Sequence, residues 1–371
     1  MNWHFDEAQG YECLQCGRSC RGWSIRVDDS VRDNLIRQPL YLRLVEVDGE
    51  PLVEREGGWY MKAGSHCRFL DPDQLCSIHR EMGYSAKPTT CRLFPFVVTD
   101  TPEGRFVGTS FYCSAIRQNH GPGLEPHQSD IEELLAQGAP RNRVAADGLL
   151  VARQYYTSYA DYARLEQRLI QRATEVGWEE ALAHALLGLA LAISELPEVD
   201  DGYRPLPPQV MEGCWQHPRL PTASRAEALA ELIRAQVVDF WKLHEDESSW
   251  PELEAALGGA DLVLKATPYR GPLDALLAAM PEHQGEVERY LGHLVFRKAL
   301  VVDPPLLASL CLLVQLPAFL RAHTRLLGNY FDALERAEME LVTHGQSYRV
   351  VCEVAADYLL SVVAPRRGSA D

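Results

Sequence analysis

The sequence predicts a mostly α-helical protein in which a cysteine-rich, metal-binding module of loops and short β-strands is packed on an α-helical domain. Seven of the ten cysteines fall within the first 113 residues. Glycines and prolines interrupt the front of the chain every few positions, whereas apolar residues at helical spacing dominate the rest. The net charge also differs between the front and the rear of the chain, since residues 1–128 carry −3 and the remaining residues carry −13.

We therefore predict two domains, a Cys-rich metal-cluster module at residues 1–125 and an α-helical domain at residues 126–371. The front segment has short strand-like runs at 23–27, 96–98 and 105–109, and one short helix near 29–37. Such a segment buries little apolar surface of its own. A bound metal is one way to fix loops that burial alone does not hold.

The rear of the sequence predicts a succession of helices. Ser129 has the character of an N-cap for the first of them. The others are predicted at 145–176, 178–196, 224–245, 285–300, 305–327, 330–341 and 347–363. The longest uncharged stretch, residues 304–320, contains a glutamine and a proline. It is short for a membrane span, so we expect a buried helix and no membrane partner.

The front cysteines are spaced as metal ligands are. Cys13, Cys16 and Cys20 form a C-x2-C-x3-C triplet, and the turn after Cys13 lets two sulfurs face one ion. Gly17 permits the tight backbone that such a turn needs. The predicted metal ligands are the seven front cysteines, Cys13, Cys16, Cys20, Cys67, Cys76, Cys91 and Cys113.

Thiolate ligand sets suit tetrahedral zinc or an iron–sulfur cluster. Seven thiols exceed one four-ligand site and fall one short of two. The sequence is therefore compatible with one metal site plus spare thiols. It is equally compatible with two sites in which His66 or His79 completes the ligand number. For each histidine, a solvated or hydrogen-bonded loop residue is the favoured interpretation. The remaining cysteines are expected to be buried apolar thiols, and they are Cys214, Cys311 and Cys352.

Four blocks of this sequence resemble the CxxCxxCC cysteine-cluster family of zinc- or iron-chelating and iron–sulfur proteins. The blocks are C-L-Q-C-G-R-S-C from Cys13, C-R-F-L from Cys67, L-C-S-I-H from Leu75 and C-R-L-F-P from Cys91. The resemblance favours an iron–sulfur cluster, of the 4Fe-4S type, over zinc. Where the family has two adjacent cysteines, this chain has a serine at Ser19. Because a hydroxyl binds soft metals poorly, this implies a substitute ligand or fewer metal ions.

Two further stretches are similar to the flagellin lysine-N-methylase branch of that family, C-R-G-W-S-I-R-V-D from Cys20 and E-R-Y-L-G-H-L-V-F-R from Glu288. This resemblance implies transfer of a methyl group to lysine of a protein substrate, with S-adenosylmethionine as the methyl donor. The residues do not locate such chemistry. The sequence has neither a Rossmann-type glycine-rich loop nor the C-x3-C-x2-C triplet of radical S-adenosylmethionine enzymes. The catalytic residues stay unassigned.

Two other functions remain open, a non-catalytic zinc- or iron-binding module for protein interaction and a redox or metal-carrier protein. The expected partner is a protein, and the acidic rear would attract a Lys-rich one. The acidic balance argues against nucleic acid as a partner. The first residues show no basic and apolar signal segment, so we expect a cytoplasmic location with reduced thiols.

Overall fold

The computed structural model describes residues 1–21, 24–62, 64, 66–197, 202–216, 223–303, 305–343 and 346–363. Gly22 and Trp23, in the stretch that resembles the methylase branch, lie outside the described residues. The described chain is mostly α-helical, as predicted. It divides into two compact units, one made of residues 1–100 and 104–142 and the other of residues 101–103 and 143–371.

The first unit contains short helices and short strands. Its helices are α1 (Asp29–Leu35), α2 (Pro39–Asp48), α3 (Ser77–Met82), α4 (Thr89–Leu93), α5 (Ser114–Arg117) and α6 (Gln128–Ala136). Its sheets are built from β1 (Trp3–Phe5), β2 (Arg26–Val27), β3 (Leu52–Arg55), β4 (Gly58–Met61), β5 (Phe96–Thr101), β6 (Gly104–Thr109) and β7 (Asn142–Arg143). The strand orders are β1-β6-β5-β7 and β2-β4-β3, with β1 parallel to β6 and β4 antiparallel to both neighbours.

Two apolar clusters hold the first unit together. One gathers buried residues of the β2-β4-β3 sheet and helices α1 to α3, and Cys67 and Cys76 pack against its edge. The other joins α4, β5 and β6 to α6 through Ile131, Leu134 and Leu135. Each such side chain contributes about 1.5–3 kcal/mol when fully buried. The boundary between the units therefore falls after residue 142 rather than after residue 125, because α6 buries its apolar face in the first unit.

The second unit is built from longer helices. They are α7 (Tyr159–Val176), α8 (Trp178–Ser194), α9 (Pro208–Gly213), α10 (Ala223–Lys242), α11 (Trp250–Ala255), α12 (Leu273–Leu277), α13 (Gln284–Phe296), α14 (Ala299–Val302), α15 (Leu306–Leu327), α16 (Tyr330–Ala337) and α17 (Gln346–Val363), with a π-helical turn at Glu338–Thr343. Its strands are β8 (Leu149–Ala152), β9 (Tyr155–Thr157), β10 (Arg204–Pro205), β11 (Asp261–Leu264) and β12 (Tyr269–Pro272), in the orders β10-β9-β8 and β11-β12.

The predicted helix over 145–176 is wrong in its first part, which forms β8 and β9. Helix α7 begins at Tyr159 because the Ser158 side chain caps it, accepting a hydrogen bond from the Asp161 backbone N–H at 3.1 Å. The predicted helix over 285–300 is likewise interrupted. Its backbone turns left-handed at Lys298, with φ of 68°, which separates α13 from α14.

Helix α15 is the one helix among the described residues that is long and apolar enough to cross a membrane. Within its most apolar stretch, 89% of the residues are buried inside the protein. Burial of this kind is typical of a core helix, which is what the uncharged stretch predicts.

The end of α13 carries two adjacent buried cations, and each has a buried carboxylate partner. Arg297 donates to Glu338 in the π-helical turn at 2.9 Å, and the Tyr290 hydroxyl donates to the same carboxylate at 2.8 Å. Lys298 donates to Glu166 of α7. These pairs tie α13 to distant parts of the second unit, because a buried charge needs its partner.

Candidate metal centre

The first three cysteines lie on the loop between β1 and β2, which has no regular secondary structure at Cys13 and Cys16. This loop turns at Gln15 and Gly17, whose φ values are 51° and 62°. A Cβ at position 17 would lie 2.1 Å from the backbone oxygen of Gln74, so the loop rests directly on the segment that leads to Cys76. Glycine is the residue that fits both the backbone conformation and the contact.

The third cysteine is tied to the fourth through the backbone. The Cys67 N–H donates to the Cys20 carbonyl oxygen at 2.7 Å. Cys76 pairs with Leu70 in an isolated bridge and immediately precedes α3. Cys91 lies within α4, and Cys113 immediately precedes α5. The seven front cysteines, which lie in loops or at the short elements α3, α4 and α5, therefore belong to the same unit.

The thiols interact with one another electrostatically. The pKa of Cys67 is raised to about 12, mainly by burial and in smaller part by the thiols of Cys20 and Cys76. Burial also raises the pKa of Cys91, with added contributions from Cys67, Cys20 and Cys76, and the pKa of Cys20, with a contribution from Cys76. Each of these four thiols thus interacts with the other three. We name Cys20, Cys67, Cys76 and Cys91 the cysteine tetrad.

The other front cysteines form a second group. Burial raises the pKa of Cys113, backbone N–H groups of α5 oppose this, and the thiols of Cys13 and Cys16 raise it again. We name Cys13, Cys16 and Cys113 the cysteine triad. Cys20 connects the two groups, because its pKa is also raised by Cys16 and Cys13.

One cation lies close to the tetrad. Lys87 lowers the pKa values of Cys20, Cys67 and Cys91, against the larger effect of burial. Its ammonium group lies 5.4 Å from the centre of the Tyr84 ring. A positive charge here favours thiolate over thiol, which is the form that binds metals.

The donor set fits a soft metal, since the seven front cysteines lie in one unit as free thiols and each interacts electrostatically with at least two others. Among the described residues, however, no group of three or more Cys, His, Asp or Glu side chains already stands in coordinating positions. The ligand set therefore stays a prediction. The rear cysteines are separate from it and are buried, as predicted, at Cys214, Cys311 and Cys352.

The two histidines considered as extra ligands have different surroundings. His79 lies in α3 and packs edge-on against Tyr84, with ring centroids 5.7 Å apart. His66 directly precedes Cys67 and makes a contact of its own. Arg92, next to Cys91, donates to the side chain of Gln137.

A pocket of about 440 Å³ opens beside the triad. Cys13 forms part of its wall, and aromatic side chains and two carboxylates form much of the rest. Its lining includes Tyr11, Glu12, Tyr84, Arg92, Phe96, His127 and Asp130. Sequence reasoning missed this pocket, because its residues come from four separated segments and share no spacing. The nearest signal was the position of Tyr11 and Glu12 directly before Cys13.

Comparison with known proteins gives a partial match. Residues 12–114 match the model of the CxxCxxCC family, described as a "Putative zinc- or iron-chelating domain". An uncharacterized protein of Methanocaldococcus jannaschii is 33% identical over 111 residues, which is 29% of this chain and 37% of that relative. No solved structure matches. The matched residues 12–114 include all seven front cysteines, and that stretch of the chain is similar to the CxxCxxCC-type domain.

Proposed function

We propose that the first unit binds zinc or iron through cysteine thiolates, with the tetrad as one four-ligand centre. The observation that carries this proposal is the mutual interaction of Cys20, Cys67, Cys76 and Cys91 within a domain of the zinc- or iron-chelating type. Four thiolates complete a tetrahedral zinc site or hold one 4Fe-4S cluster. The iron–sulfur cluster is our preferred occupant.

The triad supplies the remaining thiols. Cys13, Cys16 and Cys113 lack a fourth cysteine, so they form either a three-thiolate site that leaves one coordination position for another ligand or a reserve of free thiols. Cys13 also lines the pocket, which would place such a position beside it. An open position is what distinguishes catalytic metal sites from closed structural ones.

Metal analysis tests this proposal. Protein purified without oxygen is assayed for iron, zinc and acid-labile sulfide, and its absorbance spectrum is recorded. We expect Cys91→Ser to lower the metal content and Cys352→Ser, a buried cysteine of the other unit, to leave it unchanged. Cys113→Ser tests the triad separately. Full metal content in both Cys91→Ser and Cys113→Ser would refute the assignment of thiolate ligands.

A second candidate is methyl transfer to lysine of a protein substrate, with S-adenosylmethionine as donor. Besides the resemblance of two stretches to the flagellin lysine-N-methylase branch, the pocket beside Cys13 supports it, since aromatic faces and carboxylates suit a cationic group. Incubation of metal-loaded protein with labelled S-adenosylmethionine and Lys-rich proteins tests it. Absence of both donor binding and transfer, with the metal in place, would refute it.

A further inference from the structure

One wall of the pocket is aromatic. The rings of Tyr11 and Phe96 meet edge to face with centroids 5.3 Å apart. The His127 ring lies 5.4 Å from Tyr11 and 5.1 Å from Phe96, tilted against both. The His127 ring also approaches the Tyr11 carbonyl oxygen at 3.4 Å, which fixes the loop before Cys13 against the segment before α6. Three mutually packed rings therefore line this wall, and the π faces of aromatic rings attract cations.

Charged groups stand at the same pocket. Glu12 and Asp130 line it and are exposed, so their carboxylates face water rather than a buried partner. Burial raises the pKa of the Tyr84 hydroxyl, Arg92 lowers it, and Asp130 raises it, which places both charges within range of the Tyr84 edge of the pocket. The pocket thus combines two negative groups with one positive group.

The positive group has an unused donor. Arg92 donates to the Gln137 side chain, but its buried Nε has no hydrogen-bond partner among the described residues. An unsatisfied buried N–H is unfavourable, and more so when it belongs to a charged group. A ligand carboxylate is the acceptor that matches a guanidinium, since the two groups pair through parallel hydrogen bonds.

Tyr84 has a different role from the three-ring wall. Lys87 already lies over its ring, and its hydroxyl donates to the Arg92 carbonyl oxygen at 2.7 Å. It therefore holds α4 and Arg92 in place, while a ligand cation would meet the rings of Tyr11, Phe96 and His127.

We propose that this pocket binds a small zwitterion, an ammonium group joined to a carboxylate as in a betaine or an amino acid. The ammonium group lies against the three rings with Asp130 and Glu12 as counter-charges, and the carboxylate binds Arg92. A volume of about 440 Å³ suits one small molecule. The inference concerns recognition only, and it requires neither methyl transfer nor a particular metal in the neighbouring centre.

Three probes of related shape test this proposal on the metal-loaded protein. Glycine betaine carries both charges, 3,3-dimethylbutyrate replaces the ammonium nitrogen by carbon, and tetramethylammonium lacks the carboxylate. Binding is followed by titration calorimetry and by the proton NMR signal of the methyl groups. We expect glycine betaine to bind about tenfold more tightly than 3,3-dimethylbutyrate, because the cation interacts with the rings. We also expect its methyl signal to shift upfield beside the rings.

Two variants separate the charges, and a third is the control. Asp130→Asn should weaken glycine betaine binding about threefold to tenfold. Arg92→Gln should reduce the affinity for glycine betaine to that for tetramethylammonium. Glu132→Gln, an exposed carboxylate of the same helix that does not line the pocket, should change nothing.

Equal binding of glycine betaine and 3,3-dimethylbutyrate would overturn the inference, and so would equal effects of Asp130→Asn and Glu132→Gln. Absence of glycine betaine binding with full metal content would overturn it while leaving the proposed metal centre intact. Metal content is therefore measured for every variant, since Arg92 adjoins Cys91.

Discussion

Gly17→Ala should reduce metal binding although position 17 offers no ligand. The left-handed backbone at φ of 62° costs an alanine about 1 kcal/mol. The added Cβ would also stand 2.1 Å from the backbone oxygen of Gln74, where ordinary contacts need at least 3.0 Å. The loop would have to withdraw by about 1 Å, whereas metal–ligand distances tolerate about 0.2 Å. We therefore expect the metal content to fall by more than half.

The matched control is Gly57→Ala in the turn between β3 and β4. Gly57 has a similar φ of 72°, but a Cβ there would meet nothing within 4 Å. Its backbone cost alone, about 1 kcal/mol, should lower the melting temperature by roughly 4 °C and leave the metal content intact. Metal stoichiometry and thermal unfolding are measured for both variants and compared. If Gly17→Ala retains full metal content and unfolds like Gly57→Ala, the loop does not position the metal ligands as argued.

Four further predictions follow from particular contacts. Glu338→Gln should destabilise the second unit by about 3–5 kcal/mol in urea unfolding, because it leaves Arg297 buried beside a neutral group, and the double variant Arg297→Met/Glu338→Leu should recover much of this loss. Burial lowers the pKa of His323 to about 3. The unfolded chain therefore binds a proton that the folded one does not, so stability should fall by about 2 kcal/mol from pH 7 to pH 5, and His323→Gln should remove that part of the pH dependence. Lys87→Met should weaken metal binding in competition with a chelator, whereas Lys87→Arg should largely preserve it, because the positive charge favours thiolates. Removal of metal by a chelator should increase amide hydrogen exchange in residues 12–114 and leave that of α15 unchanged, because metal binding contributes to folding only where the ligands lie.

The sequence predicted the helical class and most of the long helices, because apolar side chains at helical spacing dominate there. It failed at 145–158, where the apolar pattern continues unbroken but Ser158 caps the helix and the preceding residues pair as strands. It also missed the pair of cations at Arg297 and Lys298. Charged residues at a helix end are usually solvated, and nothing local indicates that Glu338 and Glu166 lie against them.

At the candidate site, too, the sequence predicts what depends on spacing along the chain but not what depends on tertiary contacts. Spacing alone predicted the cysteines as metal ligands, since candidate pairs such as Cys13 and Cys16 are close along the chain. It left open how seven thiols are shared, because Cys20, Cys67, Cys76 and Cys91 are separated by loops whose course depends on contacts such as that of Gly17 with Gln74. In the arrangement proposed above, the thiols divide into a tetrad and a triad. Ser19 then need not mean a defective site, because the tetrad is complete without a cysteine at that position.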